Sequence, residues 1–571
     1  MKRILSTHKL TGNGKVFTVN LKTLFRVIGG TNSNPAITTD LIDTLKVSLE
    51  RATFTGIADV PRGTSGDFHY TLDAAEKVMT ITLANLPSGT NVLTLDAQTG
   101  TNDRSVRSMV LIVNDNATGT DAAEAVTFDG QDIILDGNLT TMEERIAELE
   151  ESELEAVHAY GVLISEGVSS PTVTRVGNMD KHRSLPIQSG MVGGLLEDDG
   201  TFTEFEDQRD WTSETRDGSE GQVMVKIPEH WRKITVGSGW YKVMLSDVAL
   251  SGYDHVGEMF CSAYEAAMDR TNNKLCSVVN TAAQYRGGSN ESGWDGTYRS
   301  LLGRPVTSVT EAACRSAARR RGAGWEQFNH YVRSALIWLY VVEYANLNSQ
   351  SAINTALDAN GCKQGGLGVG VTNWTSGTPS WSTFNNYNPF VPCGYSDSLG
   401  NGTGEVDYEV KDENDTTILT MKVNRYRGIE MPFGHTWKFV DGVIVEAGAE
   451  TSAGGTGKHK VFIAPDPADW GDQDVNDDSK YDYAADQVRS NGYIKTLDAE
   501  STTPLAVGGA ETTYYCDYNY QNIPSSGVVL HCLIVGGYAN YGGVSGLFYF
   551  HSSRSLSYSY AGIGARLCYL G

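Results

Sequence analysis

At 571 residues the chain is too long for one hydrophobic core and should divide into several domains. Its formal net charge of −24 opposes contact with a nucleic-acid duplex or a polyanionic membrane over most of the surface, so neither is an expected partner. No apolar run approaches the roughly 18 residues a bilayer span needs, and the basic start MKRILSTHKL lacks the apolar stretch of a secretory signal.

Residues 1–120 alternate apolar and polar in short runs such as KVFTVNL, FHYTLD, KVMTITLANL and SVRSMVLIVND, separated by GGTNSNP, PRGTSGD and PSGTN. Period-two patterning with turns at this pitch predicts a small antiparallel β-sandwich that anchors or spaces the rest. Residues 121–160 read as a linker and a short helical neck. There Leu139, Met142, Ile146 and Leu149 repeat at spacings of three, four and three, the stripe of a coiled coil, until Glu153 interrupts it and Leu154 and Val157 resume it. So short a stripe does not hold chains together alone, and it suits either an oligomerising neck or a helix lying on a domain.

Residues 161–219 are polar and Gly-rich and read as a connector or an irregular β region. Residues 220–571 read as one large domain of short strands, loops and two helices. The first helix is expected after Ser308, whose spacing to Glu311 fits a capping box, and should stop by Gly322. The second, FNHYVRSALIWLYVVEYANL, has an apolar face through Tyr331, Ala335, Trp338 and Val342, which predicts a core helix.

Chemistry-bearing motifs are scarce. The eight Cys (Cys261, Cys276, Cys314, Cys362, Cys393, Cys516, Cys532, Cys568) include no C-x-x-C pair, which predicts reduced, mostly buried thiols. No H-E-x-x-H, G-x-S-x-G or phosphate loop occurs. In DPADWGDQDVNDDSKYDYAAD, residues Asp472, Asp474 and Asn476 imitate the start of a calcium loop. Asp477 stands where its Gly would be and Tyr483 where its final Glu would be, so an EF-hand is ruled out. A solvated loop and a structural Ca²⁺ site both remain readings of this stretch.

From Tyr518 to Gly571 the chain has no Asp, Glu or Lys and is rich in Gly, Tyr, Ser and Asn. That alphabet suits a recognition surface, because Tyr gives large rigid contact at low entropic cost while Ser, Asn and Gly adapt the hydrogen bonding. In SLSYSY, Ser555, Ser557 and Ser559 should face one way and Leu556, Tyr558 and Tyr560 the other if the segment is extended.

Five landmarks occur in order across the large domain: Tyr264-Glu265-Ala266; Thr310-Glu311-Ala312 with Ala317-Ala318-Arg319; Gly434-His435-Thr436-Trp437-Lys438-Phe439 with Asp441; Gly536-Gly537-Tyr538; and Gly564-Ala565-Arg566-Leu567. Together they resemble the C-type-lectin-like domain of the formylglycine-generating-enzyme type. The ending GLFYF…IGARL is most similar to the diversity-generating-retroelement variable proteins and related bacteriophage tail-fibre or receptor-binding proteins. The oxidising enzymes of that superfamily keep a cysteine pair after the Gly-Gly landmark; here no Cys lies between Cys532 and Cys568, so their chemistry does not carry over.

The expected fold is therefore multidomain: an N-terminal all-β sandwich, a short coiled-coil-like neck, and a C-terminal α+β C-type-lectin-like domain. The resemblance implies that Gly536, Gly537, Gly546, Leu547, Phe548, Gly564, Ala565 and Arg566 are scaffold. It implies that Tyr538, Asn540, Tyr541, His551, Ser553, Arg554, Ser555, Tyr558 and Tyr560 are displayed for receptor binding. It further implies a non-enzymatic virion protein, assembled in a host cytoplasm and plausibly trimeric, that binds a bacterial surface glycan or protein and meets other virion proteins through its N-terminal domain. Calcium, held by Asp472, Asp474 and Asn476, is the one cofactor it suggests. A surface-polysaccharide hydrolase and a structural virion decoration are the alternative readings.

Overall fold

The computed structural model describes residues 11–12, 16–20, 46–50, 57–60, 62, 68–73, 78–83, 90–98, 106–114, 123–128, 131–134 and 154–571 other than 376 and 450–458. The chain is β-rich and forms two compact units, Met1–Ser152 and Glu153–Gly571.

The first unit contains two sheets paired in antiparallel fashion. One is ordered Thr11–Gly12, Val16–Asn20, Val78–Leu83, Phe68–Asp73. The other is ordered Gln131–Ile134, Ala123–Phe128, Val106–Asn114, Thr90–Gln98, Lys46–Glu50, Ile57–Val60. Period two governs burial: Met79 and Ile81 are enclosed while Thr80 and Thr82 are half-buried, and Leu93 and Leu95 repeat the pattern. The linker expected from residue 121 instead supplies the strands Ala123–Phe128 and Gln131–Ile134, whose Val126, Ile133 and Ile134 carry enough β-branching for the sheet to continue. The coiled-coil stripe at Leu139, Met142, Ile146 and Leu149 lies outside the described residues; 154–158 are helical, with Leu154 and Val157 exposed.

In the second unit the stretch 161–219 is the β region of the two readings, and its strands are built into the large unit. Ala159–Ser165 pairs along its whole length with Trp240–Ser246, and Val192–Leu196 pairs with Gln222–Ile227. Sequence-distant partners made these strands invisible to local patterning. Gln222–Ile227 in turn pairs with Met259–Ser262, which pairs with the terminal strand Leu567–Leu570, so the end of the chain is locked into the start of the large domain.

The helix Glu311–Arg319 is capped by Thr310, whose hydroxyl accepts from the Ala313 amide. Ser308 does not cap it, because its backbone is left-handed (φ 59°) and its amide donates to the Tyr560 carbonyl. The helix His330–Tyr344 is capped by Asn329 and has twelve buried residues on all sides. It is a central core helix, not a one-faced one. Its Trp338 meets Tyr241 and Phe548 edge-on at 6.0 and 6.3 Å, whereas Tyr331 sits at an exposed end.

The largest sheet runs Asp482–Gln487, His459–Ile463, Trp437–Gly448, Val528–Gly536, Gly546–Ser555, Tyr518–Gln521, Gly492–Leu497, Pro504–Val507. Its two ends meet, since the Val488 amide donates to the Pro504 carbonyl at 2.8 Å. One face of the sheet packs on the core helix; the other supports the aromatic surface described next.

Candidate binding face and its foundation

Several landmark residues sit in buried polar clusters that together make the frame of the large unit. Glu265 accepts from His435 Nδ1 at 2.5 Å and from Thr436 Oγ1 at 2.9 Å, and its Oε1 lies 2.7 Å from Lys438 Nζ. Burial alone would raise this carboxyl; the Lys438 ammonium and then His435 overrule it and hold it far below the ordinary range. Arg315 grips Asp441 two-pronged, at 2.7 and 2.5 Å, and Gln327 Nε2 adds a third bond to the same carboxylate at 3.0 Å. Burial and the neighbouring Asp441 push the Glu311 carboxyl well up. Arg566 donates to the carbonyls of Ser262, Glu430 and Met431, clamping the last strand. Arg315 is half-buried and the other side chains named are enclosed.

On this frame stands an aromatic layer. Trp437 and Tyr538 stack face to face, and Trp381, Trp374, Phe390 and Tyr549 close around them. Tyr538 and Asn540 belong to the nine-residue turn 537–545 that joins Val528–Gly536 to Gly546–Ser555. Glycine is required at both ends of that turn. A Cβ on Gly537 (φ 75°) would lie 2.1 Å from Ser545 Oγ, and one on Gly546 (φ 153°) 2.1 Å from an Asp517 oxygen. Asp517 is wholly enclosed, accepts from the Phe548 amide at 2.7 Å, and is driven strongly upward by burial.

The nine residues expected on display divide into two sets. Tyr538 (8% exposed) and His551 (1%) are foundation, not display. His551 touches Trp437 and Tyr520 edge-on at 5.3 and 4.8 Å and meets Ser553 Oγ at 2.5 Å; burial, then Arg554 and His531, bring its pKa down to about 3. Their burial arises because the indoles that cover them come from residues 374–437, far away in sequence.

Asn540, Tyr541, Ser553, Arg554, Tyr558 and Tyr560 are half-buried, and Ser555 is exposed. Tyr541 stands edge-on to Trp437 and Tyr538 at 5.1 and 4.5 Å. The Arg554 guanidinium covers the Tyr558 ring at 4.6 Å, a cation–π contact. Tyr560 lies 5.7 Å from Tyr387, and burial raises its hydroxyl to about 12. The expected alternation is present: Ser555, Ser557 and Ser559 are exposed, while Leu556, Tyr558 and Tyr560 are half-buried, although the strand itself ends at Ser555.

Two rings of this face escaped the sequence reading, Tyr387 and the exposed Tyr520. A signal for the first was present: WTSGTPSWSTFNNYNPF (374–390) uses the same ring, Ser, Gly and Asn alphabet as the C-terminal segment. The face can therefore stack on flat or apolar ligand surfaces, hydrogen-bond through phenols and serines, and offer one cation at Arg554.

In the acidic loop the expected calcium ligands take part in local turns. Asp472 accepts from Lys480 Nζ at 2.6 Å and from the Asp474 amide, Asp474 accepts from the Asn476 amide, and Asp477 from Ser479. These carboxylates cap their own turns. Among the described residues no group of three or more His, Cys, Asp or Glu is placed to hold a metal ion. All eight Cys are buried free thiols. No described helix is long and apolar enough to cross a membrane.

Comparison with protein-family models finds no match, and comparison with curated proteins finds none either.

Proposed function

We propose that the chain is a non-enzymatic adhesin of a bacteriophage virion, of tail- or fibre-type, whose C-terminal face binds a bacterial surface glycan or protein. In this reading Met1–Ser152 contains a β-sandwich that docks to other virion proteins, followed by a neck. The large unit is a C-type-lectin-like domain, and multivalent display in a homotrimer raises weak single-site affinity.

One observation carries the reading. Tyr541, Tyr558, Tyr560, Tyr387 and Tyr520, with Arg554, form a partly open ring surface on a rigid buried foundation. Rigid Tyr and Arg side chains over an enclosed core are the usual makings of a binding hot spot. The test is attachment of the purified chain to a panel of bacterial strains, with the supernatant assayed for released oligosaccharide. Attachment without release supports the adhesin; release of oligosaccharide would establish the hydrolase reading in its place.

A further inference from the structure

At one end of the large sheet, a second polar cluster lies on the face opposite the ring surface. Leu533 and Val535 point into the main core, while Cys532 and Ile534 belong to the aromatic layer. His531 shares the inward side with Leu533 by strand alternation. His459 likewise shares it with Val461, and Ser552 with Phe550. Register places His531 and His459 on the two strands that flank Trp437–Gly448, opposite Val445 and Ala447, with Gln487 directly opposite His459.

The amides around them bond largely to one another, with Oε1 of Gln521 the one side-chain oxygen of this group left without a partner among the described residues. Ser552 Oγ donates to Gln487 Oε1 (2.6 Å), Gln487 Nε2 to Asn519 Oδ1 (2.7 Å), Asn519 Nδ2 to the Ser490 carbonyl (2.9 Å), and Gln521 Nε2 to the Arg489 carbonyl (2.6 Å). Besides that oxygen, five enclosed nitrogens have no partner among the described residues: both ring nitrogens of His459, Nδ1 of His531, and Nε and Nη2 of Arg489. Arg489 spends Nη1 on the Gly448 carbonyl at 2.7 Å, which leaves its side-on edge, the fork that matches two oxygens of one anion. His459 is wholly buried and His531 nearly so. The neighbouring charges Glu446, Lys460 and Asp486 alternate to the other side of their strands, while His551 and Arg554 belong to the strand beyond His531. Burial, then Arg489, then His531 lower the His459 pKa to about 4.

We propose that Arg489, His459 and His531 form a binding site for a small oxyanion, held side-on by the guanidinium edge and by one N–H of each imidazole. Such an anion supplies the charge and acceptors that these three basic groups lack. It also favours the imidazolium forms, so binding tightens as pH falls. The site is separate from the ring surface and does not depend on the proposed adhesin role.

The experiment is thermal unfolding of the full chain at fixed ionic strength, with sodium sulfate or sodium acetate replacing sodium chloride, at about pH 5.5 and about pH 8. Sulfate also strengthens burial generally by exclusion from protein surfaces, so the reading is the difference between the native chain and variants. The native chain should gain Tm saturably with sulfate or acetate, more at the lower pH. Arg489→Gln and His459→Gln should lose that saturable gain, and Lys460→Gln, on the opposite face, should keep it. An equal gain in Arg489→Gln, an equal effect of chloride, or a non-saturating rise in every protein would overturn the site and leave water as its occupant. Should the variants fold poorly, sulfate titration of the native chain followed at the His459 imidazole resonances decides it. A saturable shift supports the site, and none overturns it.

Discussion

The Trp437 indole and the Tyr538 phenol lie parallel, with ring centroids 3.7 Å and planes 11° apart, and this stack is the floor under the half-open tyrosines. Tyr538→Ala should therefore act on stability, with a loss of about 3–5 kcal/mol as for other large aromatic truncations. Tyr538→Phe keeps the stack and should cost under about 1.5 kcal/mol. Urea unfolding of the two variants checks this. Equal, small losses would place Tyr538 on the surface after all.

Glu265 answers a Lys and a His inside the frame, so removing its charge strands them. Glu265→Gln should cost about 3–5 kcal/mol by leaving Lys438 buried without a counter-charge. The double change Glu265→Gln/Lys438→Met should recover part of the loss. A double-mutant cycle showing simple additivity would contradict the pairing.

His551 gives a pH prediction. Its folded pKa, about 3, lies below the unfolded value near 6.5, so between them the unfolded state binds the extra proton. The contribution of neutral His551 is present above about pH 6.5 and is lost as pH falls. Relative to His551→Gln, the native chain should lose up to about 1.4 kcal/mol per pH unit across that window. A stability difference that stays flat with pH would mean the imidazole titrates normally.

Gly546→Ala should be costly out of proportion to one methyl group, because its Cβ would overlap the enclosed Asp517 carboxylate. A loss of about 1–3 kcal/mol or more is expected, the range for overpacking. Gly527→Ala, where a Cβ meets nothing within 4 Å, shares the positive φ (68°) and isolates the backbone share of the effect. Similar losses in both would remove the Asp517 contact as the cause.

Much of this arrangement was legible in the chain, and the rest was hidden for definite reasons. Local patterns showed the N-terminal strands around Met79 and Ile81, the two long helices of the large unit, and the alternation from Ser555 to Tyr560. Glu265 and His435, singled out in the sequence, are bonded to each other in the fold, and Asp441 and Arg566 are held by partners of their own. Facing was the hidden part. Tyr538 and His551 carry the same alphabet as Tyr541 and Tyr558, yet Trp437 and Trp381 cover the first pair, and no local pattern announces a lid from that far away. The pairing of Ala159–Ser165 with Trp240–Ser246 was hidden in the same way, since the partner strand lies about eighty residues on. Ser308 and Thr310 show the finer limit: both suit a cap, and only the left-handed backbone at Ser308 decides between them.

The most direct test compares attachment of the native chain to a bound bacterial strain with that of Tyr541→Ser/Tyr558→Ser/Tyr560→Ser, with Tm measured in parallel. The account predicts an unchanged fold and at least about 30-fold weaker attachment, the loss of one strong hot spot of about 2 kcal/mol. Full attachment by a folded triple variant would contradict it.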